Sequence, residues 1–220
     1  MPAEWETAPY IGLDGLTDLI LSRTQPGQRR LVALAGPPGA GKSTVSDRLK
    51  HALNAERPGL ADILPMDGYH YDDAVLNARG HRPRKGAPHT FDLGGLTAML
   101  DRLAQHGGEE IAVPVFDRDL EISRAGGRII SATTRVILVE GNYLLLDAEG
   151  WRDLKPRFDL TVFVTADPAT LKARLTQRWL GFSYDDAMMD EKLEGNDLPN
   201  VRLVLKYSTR PDHVLRTDIA

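Results

Sequence analysis

Gly36-Pro37-Pro38-Gly39-Ala40-Gly41-Lys42-Ser43 is the stretch that decides the fold. It fits G-x-x-x-x-G-K-[ST] at every fixed position, a match that residue frequencies give by chance about 1% of the time in a chain this long. The glycines let the backbone turn so that successive N–H groups point at phosphate oxygens. Lys42 then reaches the β- and γ-phosphates, Ser43 places its hydroxyl on Mg²⁺, and a helix starting there aims its positive end at the polyphosphate. The flanks agree. Leu31-Val-Ala-Leu-Ala35 reads as a strand buried on both faces, and the residues after Lys42 read as a helix to about Ala55, stopped by Pro58-Gly59. Thr44 is placed either to contact the α-phosphate or to cap that helix.

Outward from this loop, apolar residues at Ile11, Leu13, Leu16, Leu19 and Ile20 form a helical stripe, so residues 1–27 are expected to carry an N-terminal helix. Ala61–Met66, Ile111–Val115, Val136–Val139, Leu160–Val164 and His213–Leu215 read as strands. Leu93–Gln105 reads as a helix before Gly107-Gly108. Asp167-Pro168 starts another helix, with Asp as N-cap and Pro at the first helical position. A last helix is expected from near Tyr184. Asp67–Asp92 is polar, rich in Gly, Pro and His, and reads as a long functional loop. Strands alternating with helices predict a three-layer α/β/α P-loop fold on a mostly parallel, doubly wound sheet. No linker or repeat interrupts the chain, so residues 1–220 are expected to form one domain with a small helical lid near 172–190.

Composition removes several classes of function. The 220 residues carry a net charge of −4, and the basic run Arg79–His89 has no aromatic stripe, which argues against nucleic acid. The absence of cysteine excludes disulfides, thiolate metal sites and a Cys nucleophile, and fits a cytoplasmic protein. The N-terminus lacks the pattern of a signal peptide, and the longest apolar runs are too short to span a bilayer, so no membrane insertion is expected. Asp92-Leu-Gly-Gly95 matches the D-x-x-G element of GTPases, but no N-K-x-D accompanies it.

Phosphoryl transfer also needs a group that orients the nucleophile, a metal clamp and cations for the developing charge. Asp67, in Met66-Asp-Gly-Tyr-His70, follows the second strand at the ligand-binding edge of such a sheet. It is either a proton acceptor for an attacking hydroxyl or a turn aspartate before Gly68. Glu140, in Val139-Glu-Gly-Asn-Tyr143, ends another strand as a metal-site carboxylate or a solvated strand-end residue. Arg174 and Arg178 lie one helical turn apart, ahead of a break at Gly181-Phe182, and form either a lid that delivers an arginine to the phosphates or a solvated basic face. Arg79, His81, Arg82, Arg84, Lys85 and His89 either meet an anionic group or stand solvated.

Taken with Arg84-Lys-Gly-Ala-Pro-His-Thr-Phe-Asp92 and Ala112-Val-Pro-Val-Phe-Asp117, these motifs resemble the uridine kinase, pantothenate kinase and phosphoribulokinase group from about residue 28 to 216. The branch they resemble most is that of bacterial fructose transport system kinases and uridine-kinase-like proteins. The resemblance implies an ATP- and Mg²⁺-dependent kinase acting on a small-molecule hydroxyl. Asp67 would be its proton acceptor, Lys42 and Ser43 its phosphate and metal residues, Glu140 the carboxylate near the metal, and Arg174 and Arg178 its lid residues. Asp92 matches an aspartate that holds substrate hydroxyls, Arg118 falls where pantothenate kinases place a substrate-contacting histidine, and Asn196 matches a substrate-side asparagine. His70 and Arg84 are further acceptor-binding candidates. Relatives often form dimers, which makes a homodimer an expectation here too. Phe116 stands where uridine kinases carry tyrosine, and the Tyr-Ser-His segment of pantothenate kinases is absent, which leaves a sugar or polyol as the expected acceptor. Uridine or another nucleoside, or pantothenate, is the alternative acceptor. An ATP-binding regulator of a sugar transport system is the alternative from another class.

Overall fold

The computed structural model describes residues 3–105, 108–180 and 185–219. Its centre is a sheet of five parallel strands in the order β2-β5-β1-β6-β7: β1 Arg30–Ala35, β2 Ala61–Pro65, β5 Val136–Gly141, β6 Leu160–Thr165 and β7 His213–Arg216. Every residue of β5 and β6 is buried, as expected of strands covered on both faces. Alternation along β1 divides the core. Leu31, Ala33 and Ala35 face one apolar cluster with Leu96, Leu100 and Leu103 of α4 (Leu93–Gln105). Val32 and Leu34 face the other, with Leu16 and Ile20 of α1 (Leu13–Arg23), Leu49 and Leu53 of α2 (Lys42–Glu56), and Leu171 and Leu175 of α5 (Pro168–Leu180). This is the three-layer P-loop arrangement. No described helix is long and apolar enough to cross a membrane.

Two glycines make the phosphate loop geometrically obligatory. At Gly36 a Cβ would lie 1.9 Å from the carbonyl oxygen of Val164, so only glycine lets the loop leave β1 against β6. Gly41 holds φ 83° at the N-cap of α2, a conformation that costs other residues strain.

The structure corrects four sequence expectations. The first concerns Asp67–Asp92, which is a folded segment. It contains a 3-10 turn at Met66–Tyr69, helix α3 at Asp73–Ala78 capped by the Asp72 carboxylate, and further 3-10 turns at Arg82–Arg84 and Pro88–Thr90. Its backbone groups bond to one another, for example Asp92 N–H to Tyr69 O, which is how a polar stretch stays ordered. Second, β3 (Ile111–Asp117) is joined by an unforeseen strand, β4 (Ile122–Ile130), in an antiparallel hairpin beside the main sheet. Third, the N-terminal helix starts two residues later than its apolar stripe, at Leu13. Fourth, the last helical region is α6 (Asp186–Lys192), a π-helical turn at Leu193–Asp197 and α7 (Leu198–Tyr207). Gly107, the expected break at Gly181-Phe182 and the start at Tyr184 lie outside the described residues.

Candidate active site

β1, β2 and β5 end at one edge, and each delivers a polar group there. Lys42, the first residue of α2, is buried and donates from Nζ to Asn142 Oδ1 at 2.7 Å and to Pro37 O at 3.0 Å. Burial pulls its pKa down to about 8, against the opposing pull of the Glu140 and Asp67 carboxylates. Ser43 Oγ donates to Glu140 Oε2 at 3.3 Å. Glu140 titrates above the ordinary carboxylate range, because it is buried and because Asp67 is close, with Lys42 partly offsetting both. Two carboxylates, one lysine and one hydroxyl therefore converge, and a further cation there would be favoured.

Asp67 lies in the first turn of the 3-10 segment Met66–Tyr69 after β2 and accepts from Arg118 Nη2 at 3.2 Å. It stands at the seam of two connected lobes. One, of ≈ 540 Å³, is lined by the phosphate loop, Glu140 and Arg178. The other, of ≈ 390 Å³, is lined by His70, Phe91, Phe116, Asn77, Asn196 and Asn200 among others. His70 packs between the rings of Phe91 (4.1 Å) and Phe116 (4.6 Å). Its Nδ1–H donates to Asp67 O at 2.7 Å, since a carbonyl can only accept. Burial, more than any neighbouring charge, holds this imidazole below its usual pKa and hence neutral.

The two lid arginines have different partners. Arg178 is among the residues lining both lobes, and burial lowers its pKa against the pull of Asp197. Arg174, one turn earlier, donates to Thr217 Oγ1 at 2.7 Å and Thr217 O at 3.0 Å. It thus ties the segment after β7 to the back of the phosphate loop, beside a third cavity of ≈ 740 Å³ lined by Gly41, Thr44, Arg48, Ile11 and Thr217.

Two acceptor candidates do not line the second lobe. Asp92 is exposed, and its Oδ1 accepts from Gly95 N at 2.9 Å, where it caps α4. Arg84 donates to Gly195 O at 3.0 Å and Asn200 Oδ1 at 3.2 Å, so its guanidinium ties the 82–86 turn to the π-helical segment. Asn196 does line that lobe and donates to Lys85 O at 2.8 Å. Sequence reasoning overlooked Asn142, although it lies inside the Val139–Tyr143 motif, and Asn200, one helical turn after Asn196. Nothing in the sequence marked Glu121, Trp179 or Asp197, which reach the cleft through tertiary packing, with Trp179 Nε1 donating to Asp197 Oδ2 at 2.7 Å.

Comparison with known proteins agrees with this geometry. Residues 32–181, from β1 through the end of α5, match the family described as "AAA domain". The chain is 33% identical to YggC of Escherichia coli over 89% of its own length and 81% of that protein. It is 32% identical to "Putative uridine kinase C227.14" of Schizosaccharomyces pombe, over 86% of this chain and 83% of that one. The crystal structure of a "putative fructose transport system kinase" from Silicibacter sp. TM1040 superposes with a TM-score of 0.84 at 41% identity, covering 93% of this chain and 98% of the other. An intact phosphate loop, a carboxylate at the end of β2, another at the end of β5 and relatives of this similarity agree: the chain belongs to the P-loop kinases related to the uridine and pantothenate kinases and to the fructose transport system kinase-like proteins.

Proposed function

We propose that the cleft moves the γ-phosphoryl group of ATP to a hydroxyl of a small sugar or polyol, with Asp67 as the proton acceptor. The observation that carries this reading is the position of the Asp67 carboxylate at the seam between the phosphate lobe and the second lobe. A hydroxyl bound in the second lobe would give its proton to Asp67 as its oxygen attacks the γ-phosphorus, while the bond to the leaving ADP oxygen breaks. Arg118 would have to release Asp67 first; its largely exposed side chain, 63% accessible, leaves it free to turn.

Lys42 and Arg178 are the groups that would meet the phosphates, and the 740 Å³ cavity beside Gly41 and Thr44 is placed for the nucleoside. Ser43 and Glu140 fit magnesium, because both offer oxygen and lie within hydrogen-bond distance of each other. Mg²⁺ is usually held by one or two protein oxygens together with phosphates, and when bound it neutralises charge on the β- and γ-oxygens. For the acceptor, the rings of Phe91 and Phe116 offer apolar faces, and Asn77, Asn142, Asn196 and Asn200 bring amides to the wall; the last three each hold a protein partner and keep a second N–H or lone pair for a ligand. That combination suits a ring or chain bearing several hydroxyls. The fructose in the name of the Silicibacter relative is consistent with it.

The test is ADP release with Mg²⁺ and ATP against sugars, polyols, nucleosides and pantothenate. Stimulation by a sugar or polyol is expected. Stimulation confined to a nucleoside or to pantothenate would reassign the acceptor. Background release with every acceptor, while ATP still binds, would favour a nucleotide-binding regulator.

A further inference from the structure

The second lobe holds more charge than a polyol needs. Its described lining includes the cations Arg82, Lys85, Arg118, Arg178 and Lys192. The acids among the same residues are Asp67, Glu121, Glu191 and Asp197. Read from sequence, Arg82 and Lys85 belong to a basic stretch that could greet an anion. The structure gives them other partners. Arg82 donates from Nε to Asp73 Oδ2 at 2.6 Å and from Nη2 to Glu121 Oε2 at 2.9 Å. Lys85 donates from Nζ to Asp73 Oδ1 at 2.6 Å and to Glu121 O at 2.5 Å. Asp73, in the first turn of α3, thus bridges both cations from behind the lobe wall. With Asp73 counted, five cations face five acids.

The cluster is held in place at a conformational cost. Glu121, at the β3–β4 turn, is the one non-glycine residue with positive φ (53°) among those described. Such backbone persists only where its surroundings over-determine it, and it gathers at functional sites. Here Arg82 and Lys85 fix both its carboxylate and its carbonyl. The Lys85 side chain is only 8% exposed, so its ammonium is not free to reach a ligand while Asp73 is charged. Although partial burial opposes it, the hydrogen bonds from Lys85 and Arg82 hold the Asp73 carboxyl below the ordinary range.

Resting on the reading of this lobe as the acceptor site, we propose that Asp73 and Glu121 set specificity: by neutralising Arg82 and Lys85 they make the lobe accept an uncharged polyol and reject its phosphorylated or carboxylated counterparts. An anionic acceptor would find the wall cations Arg82 and Lys85 already paired, and would meet the Glu121 carboxylate beside them. Without Asp73 the same wall would present two cations with one compensating carboxylate. Asp73 is a positioning residue here, since it acts through Lys85 and Arg82.

The experiment has two arms on the full chain. In the first, kcat/KM is measured for matched neutral and anionic acceptors, fructose against fructose 6-phosphate and ribitol against ribonate, in wild type, Asp73→Asn, Glu121→Gln and Asp73→Glu. Wild type should favour the neutral member of each pair. The anionic-to-neutral ratio should rise about tenfold or more in Asp73→Asn and Glu121→Gln, and return towards wild type in Asp73→Glu. In the second arm the phosphate loop is filled with Mg²⁺ and a non-hydrolysable ATP analogue, and inorganic phosphate is titrated by calorimetry. Wild type should bind it at least tenfold more weakly than folded Asp73→Asn. A wild type that prefers the anionic acceptors, or that binds phosphate as tightly as Asp73→Asn, overturns the proposal. If calorimetry shows the gain while no acceptor of either charge is phosphorylated, the charge cluster stands and the kinase reading of the lobe fails.

Discussion

Lys42 rests on Asn142 and Pro37 rather than in solvent, and Ser43 rests on Glu140, so on the proposed reading the loop's chemical groups are already held when phosphates arrive. Such preorganisation lowers the reorganisation needed as charge develops. It depends on how closely β5 passes the turn after β2. A Cβ on Gly141 would fall 2.5 Å from Met66 Cβ, and Met66 is fully buried and neighbours Asp67. Gly141→Ala is therefore expected to destabilise the fold by about 1–3 kcal/mol, the usual cost of overpacking. It should also lower turnover, because Glu140, Asn142 and Asp67 all sit within two residues of the clash. Denaturant unfolding together with ADP release checks both effects. A variant with wild-type stability would mean that β5 and the β2 turn are looser than described.

At the scale of elements, the second lobe is built from pieces distant in sequence. Tyr143 Oη donates to Gly86 O at 2.5 Å, Asn196 donates to Lys85 O, and Arg84 reaches Gly195 and Asn200. The 82–86 turn is thereby tied both to the end of β5 and to the π-helical turn that leads into α7. Interruptions of this kind in α-helices often mark functional sites. Arg84→Ala removes two of these ties without touching the phosphate loop. The expected result is a severalfold rise in the KM for the acceptor with the affinity for Mg-ATP unchanged, read from initial rates and a nucleotide-binding titration. An equal loss for both ligands would show that the tie supports the fold at large rather than the acceptor wall.

For the molecule as a whole, the folded state disfavours charge on His70. Burial, reinforced by Lys85 and Arg118 and opposed by Asp67, lowers its pKa from the ordinary 6.5. The unfolded chain therefore takes up this proton more readily than the native one does. Stability is undiminished by His70 above about pH 6.5 and falls as the pH drops from there towards the lowered native value. Thermal unfolding from pH 7.5 to 5 should show a shallower decline in His70→Gln than in wild type; identical slopes would remove His70 as a source of acid sensitivity.

Much of this architecture was legible in the sequence because it rests on local rules. The phosphate loop has fixed residues at fixed spacing, and the buried parallel strand β5 (Val136–Gly141) announces itself by the continuous apolar run Val136–Val139. The β4 strand was not legible. Its central residues Arg124–Gly127 are exposed and polar or small, so no apolar alternation marks it, and only pairing with β3 makes it a strand. The same limit applies to the site. Asp67 and Glu140 were marked by their places at strand ends. Whether Arg84, Asp92 and Arg174 reach the cleft depends on hydrogen-bond partners such as Asn200, the Gly95 backbone N–H and Thr217, which lie on other elements or follow from local capping.

The most direct test is Asp67→Asn, assayed for phosphoryl transfer with the best acceptor found and for nucleotide binding in parallel. Asparagine keeps the size of the side chain and an acceptor for Arg118 but cannot take the proton. A loss of about 10²–10⁴-fold in kcat, with Mg-ATP affinity and melting temperature near those of wild type, is the expected result. Turnover within a few-fold of wild type would contradict the account and remove Asp67 from the transfer step.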